Sequence, residues 1–148
     1  MRRILSLAAL ALAVAGCNEI TAADEHGHAE EIVAMRLTVA SAAGTTTHHL
    51  TDGGVLTPSP LRLPVGTATI GVEFLDEAGA VVDDLHADEY EIRFAAGPPG
   101  LAFARTGPFA GTFTAASAGS GTLEIELFHL EEEHEELGPY FLAVTIGG

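Results

Sequence analysis

The sequence predicts an all-β sandwich of about seven to nine antiparallel strands, preceded by a cleaved signal helix and a flexible tether. Apolar residues alternate with polar ones in several short runs, and turns rich in glycine and proline separate those runs about every ten residues. No stretch beyond the signal repeats with the 3.6-residue period of a helix. A single cysteine rules out an internal disulfide, so the apolar core must hold the fold unaided.

Residues 1–16 have the layout of a secretory signal. Arg2 and Arg3 form a cationic start, and the apolar run at residues 4–15 is about a dozen residues long, shorter than the roughly 20 that a spanning helix needs. The run ends in Val14-Ala15-Gly16-Cys17, and the whole segment resembles a bacterial lipoprotein signal peptide with its lipobox. The resemblance implies that Cys17 becomes the lipidated first residue of the mature protein. The alternative is an idle or buried thiol behind an ordinary cleaved signal.

The implied anchor indicates where the protein works. A single acyl chain holds a protein to a membrane only marginally, whereas a diacylglycerol thioether plus an N-acyl group, which carry fatty acids such as palmitate, hold it firmly. We therefore expect a cell-envelope protein attached to a membrane through lipid. In Gram-negative lipoproteins an aspartate after the cysteine commonly marks retention at the inner membrane. Asn18 stands there instead, which favours the outer membrane, with the domain in the periplasm or at the cell surface.

The chain divides into three predicted units. Residues 1–16 are the signal peptide, and residues 17–30 are the lipidated cysteine followed by an acidic segment with little apolar content and no periodicity. We interpret that segment as a flexible tether, which at this length spans about 20 Å on average. Residues 31–148 form the sandwich domain, a length that suits a single domain.

The charge balance narrows the choice of partners. Cleavage before Cys17 removes two of the six cationic residues and none of the 21 acidic ones, so the formal net charge changes from −15 to −17, and the chain has no lysine. Nucleic acid is excluded as a partner, because phosphate binding needs clustered lysine and arginine. The same charge repels anionic headgroups and attracts divalent cations without selecting among them.

Five alternating runs predict the strands, and in each the apolar residues share one face. They occupy residues 33–39, 69–74, 89–94, 123–127 and 140–146. Charged residues on the outward faces oppose edge-to-edge pairing with other chains. The acidic run at residues 131–136 predicts a loop, because its like charges repel one another and Gly138-Pro139 follow it.

Several stretches of residues 61–148 resemble bacterial immunoglobulin-like domains of group 2. The matching pieces are Leu-Pro-Val-Gly-Thr at residues 63–67, Val-Glu-Phe-Leu-Asp-Glu-Ala-Gly at 72–79, Gly-Thr-Phe-Thr-Ala at 111–115, Ala-Gly-Ser-Gly-Thr-Leu-Glu-Ile at 118–125 and Val-Thr-Ile at 144–146. The resemblance implies an immunoglobulin-like sandwich, and domains of this family mostly act as spacers or adhesive modules. The chain lacks the tryptophan and the Ser-x-x-Pro stretch often found in the middle of such domains, so a shared partner does not follow.

Histidine is the one residue type here that a spacer does not require. Imidazole and carboxylate together suit Zn²⁺, Ni²⁺ or Cu²⁺. His129 continues the inward face of its strand, His134 follows five residues later, and His86 lies in another acidic connection. Because connections cluster at the two ends of a sandwich, these three are candidate ligands of one ion. The alternative is a strand-end histidine satisfied by a backbone carbonyl or a glutamate, with the other two in solvated loops.

The sequence therefore predicts a secreted, lipid-anchored, non-catalytic binding or interaction module of the cell envelope. Its partner is a protein or glycan that the sequence does not identify. No Gly-x-Ser-x-Gly elbow is present, and Ser120 lies in a sequence typical of a hairpin turn, so we do not expect an enzyme. The alternative function is a periplasmic or surface lipoprotein that binds a transition metal through His86, His129 and His134.

Overall fold

The alternating runs form strands that pack as two facing sheets. A computed structural model describes residues 32–83, 85–95 and 97–147. The signal peptide, Cys17 and the tether lie outside the described residues. Within the described part ten β-strands occur: β1 (Ala34–Ser41), β2 (Gly44–Thr51), β3 (Leu56–Thr57), β4 (Leu61–Leu63), β5 (Gly66–Leu75), β6 (Tyr90–Ala95), β7 (Leu101–Gly107), β8 (Ala110–Ala115), β9 (Gly119–His129) and β10 (His134–Ile146). The all-β prediction is confirmed, and the short β3 and β4 bring the number of strands above the expected seven to nine.

The strand order is that of an immunoglobulin-like sandwich. One sheet has the order β3-β2-β1-β5-β8-β7 and the other β4-β10-β9-β6. The series β1-β5-β8-β7 corresponds to the A-B-E-D sheet of the immunoglobulin fold, and β6-β9-β10 corresponds to C-F-G. One pair departs from the antiparallel prediction, since β4 runs parallel to β10. Through this pairing β4, which comes just before β5 in the chain, forms the edge strand of the second sheet.

The inward faces of the two sheets form one apolar core. Residues at alternate positions of β1, β5, β9 and β10 are buried, as the alternation predicted; among them are Met35, Leu37, Val39, Ile70, Val72, Phe74, Leu123, Ile125, Leu127, Leu142, Val144 and Ile146. Phe113 of β8 lies between the sheets. Its ring contacts Phe94 of β6 at 5.1 Å and Phe103 of β7 at 5.2 Å between centroids.

The predicted acidic loop is shorter than expected, because β10 already begins at His134. His134 pairs with His129 and Glu135 with Phe128, so the ladder continues through half of the acidic run. Glu133 makes the turn with a left-handed φ of 55°. The charged side chains point into solvent, where their mutual repulsion is weak compared with the backbone pairing. Register shifts on either side of Leu137 form bulges that accommodate Gly138 and Pro139 within the strand.

The two ends of the sandwich differ in what they carry. The described chain starts at one end, where the Val33 N–H donates to the Leu75 carbonyl and the Asp52 N–H donates to the Val33 carbonyl, both at 2.9 Å. The turn between β9 and β10 lies at this same end, which we call the anchor end. The turn between β1 and β2, and the last residues of β4 and β10, lie at the opposite or far end.

Candidate functional site

His129 is buried at the anchor end and closes the turn that follows it. Its side chain is only 1% exposed, and its ring packs edge-to-face on Tyr90, 4.7 Å away at 81°. The backbone N–H of Glu132 donates to Nδ1 at 3.1 Å. In a neutral imidazole the nitrogen that accepts a hydrogen bond is the one without a proton. The Nδ1 lone pair therefore already accepts a hydrogen bond within the turn, and its donor is a backbone N–H rather than the backbone carbonyl or glutamate partner that the sequence suggested.

His134 lies directly across the ladder from His129 but is half exposed. The two rings stack at 5.7 Å between centroids with an interplanar angle of 17°. Carboxylates flank both nitrogens of His134: Glu132 Oε2 is 3.4 Å from Nδ1, and Glu136 Oε2 is 3.1 Å from Nε2. These two histidines are neighbours because they pair across the β9–β10 ladder.

The surroundings of this histidine pair are strongly negative. Burial raises the pKa of the Tyr90 phenol, and the charges of Glu136, Glu89 and Glu132 raise it further. These carboxylates come from β10, from the connection before β6 and from the turn itself, so the field at this end is the sum of three segments. A cation arriving here meets attraction from all of them.

His86 lies on the exposed connection that leads into β6. Its carbonyl accepts hydrogen bonds from the N–H groups of Glu89 and Tyr90, at 3.0 and 3.1 Å. The backbone of His86 is thus hydrogen-bonded to Tyr90, and Tyr90 pairs with His129 in the β6–β9 ladder. Among the described residues, no group of three or more His, Cys, Asp or Glu side chains is arranged to hold a metal ion.

An ion cluster between the sheet edges was not predicted from the sequence. Glu91 of β6 is 8% exposed and accepts from the Arg93 Nε at 2.7 Å, while Arg105 of β7 reaches it from the other sheet. The Arg93 guanidinium also covers the ring of Phe128 at 3.2 Å. The cluster closes one lateral edge of the sandwich. It combines residues from strands that no local pattern links, so only the fold reveals it.

A second feature that sequence reasoning missed is a cavity at the far end. Its volume is about 240 Å³, and we call it the Arg62 pocket. It is lined by the turn between β1 and β2, by β4 and by the end of β10; the lining residues are Val39, Ser41, Ala43, Gly44, Thr45, Thr46, Arg62, Leu63, Pro64, Thr145 and Gly147. The sequence holds one clue to this pocket: Arg62 stands between Leu61 and Leu63, both of which are buried, in a chain that has few cationic residues.

Comparison with known proteins bears on the anchor. Residues 1–18 match the family described as the prokaryotic membrane lipoprotein lipid attachment site. The chain is thus a lipid-anchored protein of the cell envelope, and the predicted lipobox is confirmed. None of the curated proteins and none of the solved structures matches the chain. Within the described ranges no helix has the length and apolarity needed to cross a membrane.

Proposed function

We propose that the protein is a non-catalytic interaction module that its lipid anchor holds at the envelope surface. The observation that carries this proposal is the combination of a lipid attachment site at residues 1–18 with an immunoglobulin-like sandwich that begins shortly after it. A membrane-tethered sandwich of this kind presents its strand faces and end loops to whatever lies in the surrounding compartment. The likeness of residues 61–148 to group 2 immunoglobulin-like domains, with their adhesive and spacer roles, supports the same function.

The placement of the anchor supports presentation of the far end. Cys17 precedes the domain, and the described chain starts at the anchor end of the sandwich. The far end is therefore the end of the sandwich opposite to the one at which the described chain begins. Asn18 in place of an aspartate supports delivery to the outer membrane, and the charge of −17 after cleavage, from four cationic and 21 acidic residues, opposes adsorption of the domain onto anionic headgroups.

Fractionation and cross-linking test this function together. The full chain and its Cys17→Ala variant are expressed in bacterial cells, which are treated before fractionation with a membrane-impermeant cross-linker that reacts with carboxylates, because the chain has no lysine. We expect the wild type in the membrane fraction with a discrete cross-linked protein or glycan, and the variant outside that fraction with the adduct reduced. A wild-type protein that is fully membrane-bound and yields no adduct would contradict the interaction function. A Cys17→Ala protein that stays in the membrane would contradict the anchor.

We propose metal binding as the second candidate function, supported by the adjacent rings of His129 and His134. His134 offers an exposed imidazole, and Glu132 and Glu136 provide carboxylate oxygens beside it. Since the Nδ1 of His129 accepts the turn hydrogen bond, His129 must release that bond before it binds Zn²⁺, Ni²⁺ or Cu²⁺, either to free Nδ1 or to move the ring proton there from Nε2. His86, on the connection before β6, is the proposed third ligand.

Zinc titration by calorimetry tests the metal candidate. The mature protein carries His26→Ala and His28→Ala in every sample, so that the signal comes from the domain. One saturable site that His134→Ala abolishes would support the proposal, and His49→Ala, an exposed histidine on β2, is the matched control. Weak heat that never saturates, or a site that survives His129→Ala and His134→Ala together, would refute it, because diffuse acidic attraction binds many ions and weakens with salt.

A further inference from the structure

The Arg62 pocket lies where the edge of one sheet meets the first turn of the other. Strand β4 is the edge of the four-stranded sheet, and the turn between β1 and β2 belongs to the six-stranded sheet. Ser41, Thr45, Thr46 and Thr145 are among the residues that line the cavity, and the Ser41 hydroxyl serves the turn itself, accepting from the Ala43 N–H and donating to the Gly44 carbonyl. The site is therefore polar at its rim and is formed by segments that are distant in sequence.

Arg62 differs from the other three described arginines in its partners. Arg36 donates to Glu73 at 2.7 Å, and both Arg93 and Arg105 bind Glu91. No Asp or Glu carboxylate among the described residues lies within 4 Å of the Arg62 guanidinium, although the chain has 21 acidic residues. Its neighbours Leu61 and Leu63 are buried and fix the strand, so Arg62 faces outward from a rigid support.

The chemistry of the pocket defines its ligand. A guanidinium presents a planar fork of donors that matches a carboxylate. Threonine hydroxyls both donate and accept, as sugar hydroxyls do. The apolar atoms of Val39, Leu63 and Pro64 complete the lining and suit the C–H face of a sugar ring. A cavity of about 240 Å³ is below the roughly 300 Å³ at which sites for drug-sized ligands begin, so it takes a single ring.

We propose that the Arg62 pocket binds a terminal acidic sugar of an envelope glycan. The sugar carboxylate lies on Arg62, and the ring hydroxyls contact the threonines of β2 and β10. This proposal rests on the interaction function and gives its ligand class. The net negative charge of the domain repels polyanions, whereas a single carboxylate can bind at Arg62. The charge therefore favours a terminal acidic sugar over a run of acidic sugars. The pocket also lies at the far end, opposite the end at which the described chain begins.

The test compares two sugars that differ only in charge. The mature lipoprotein, in nanodiscs of zwitterionic lipid, is titrated with methyl glucuronide and with methyl glucoside, and saturation-transfer NMR follows the binding. We expect saturable glucuronide binding with a Kd of about 1 mM, which is the affinity that a ligand of this size reaches. Glucoside should bind at least tenfold more weakly. Arg62→Gln should weaken glucuronide binding at least tenfold, and Thr45→Val with Thr46→Val should weaken both sugars.

Arg36→Gln is the matched control, because it removes a half-buried arginine that Glu73 already engages. It should leave glucuronide binding unchanged. The proposal is overturned if Arg62→Gln binds glucuronide as the wild type does, if glucoside binds equally well, or if acetate and inorganic phosphate compete as strongly as glucuronide, which would indicate a simple anion site. None of these outcomes changes the result of the cross-linking experiment in intact cells. Failure of the pocket is therefore distinct from failure of the interaction function.

Discussion

Phe113 connects the two sheets, and its replacement by alanine measures how much that contact contributes to stability. The side chain is 1% exposed and its ring meets Phe94, on the opposite sheet, at 5.1 Å and 77°. It also meets Phe103, on the neighbouring strand, at 5.2 Å and 52°. Truncation removes the apolar burial and both ring contacts, and it leaves a cavity between sheets that the backbone pairing holds in place.

The expected cost of Phe113→Ala is about 3–5 kcal/mol, the range for buried phenylalanine in a core that does not collapse. That is a large share of the roughly 5–15 kcal/mol by which a domain is stable. For a domain of about 115 residues, 1 kcal/mol corresponds to roughly 4 °C, so Tm should fall by about 12–20 °C. Urea unfolding followed by far-UV circular dichroism gives the free energy of unfolding, and the chain has no tryptophan to serve as a fluorescent probe.

Phe141→Ala is the matched control, because Phe141 is 64% exposed on β10. The same truncation there should change the free energy of unfolding by no more than about 0.5 kcal/mol. Phe113→Leu should fall between the two, since it keeps most of the volume and loses the ring contacts. A loss below about 1 kcal/mol for Phe113→Ala, with an unchanged denaturant slope, would refute the role of Phe113 as the inter-sheet contact.

Three further stability predictions each concern one residue. Gly111→Ala should cost about 1–3 kcal/mol in urea unfolding, because a Cβ there would lie 2.2 Å from the Phe103 ring; Gly71→Ala, with nothing within 4 Å, should not share that cost. Glu126→Gln should raise Tm at pH 7, since burial and then nearby carboxylates raise the pKa of Glu126 in the folded protein. A raised folded pKa makes stability fall as pH rises through it, so this gain should vanish below about pH 4, and an equal gain at low pH would contradict it. Glu91→Ala should lower the free energy of unfolding by about 1–2 kcal/mol. This cost is smaller than that of breaking a fully buried ion pair, because both arginine partners are more than a third exposed. An unchanged urea midpoint would contradict the bridge.

The strands that the sequence predicted are those whose inward residues are strongly apolar. In β5 the buried residues include Ile70, Val72 and Phe74, which makes the alternation plain. Strand β2 follows the same geometry, but its inward residues are His48 and Leu50 within a run of threonines, so no apolar alternation appears. Burial of His48 is favourable there because its Nδ1 donates to the Pro58 carbonyl at 2.6 Å. No sequence pattern predicts this hydrogen bond.

The two candidate sites differ in how far sequence reasoning could reach them. His129 and His134 lie on one hairpin, so local pairing brings them together and their proximity was predictable. The role of His129 Nδ1 depends on the turn at Glu133, whose left-handed backbone is unusual for glutamate. The Arg62 pocket depends on the parallel pairing of β4 with β10, which joins Leu61 to Val144 across most of the domain. Such long-range pairing has no local signature.

The separation of these sites along the sandwich makes them independent experiments. His134 begins β10 at the anchor end, and Thr145 lies near its far end, eleven residues on along the same strand. At about 3.3 Å per residue the two are roughly 35 Å apart, far beyond the 7–10 Å within which substitutions usually interact. His134→Ala should therefore leave glucuronide binding unchanged, and Arg62→Gln should leave zinc binding unchanged. If either substitution altered the other ligand, the two ends would be coupled through the core, and neither effect could then be assigned to a local contact.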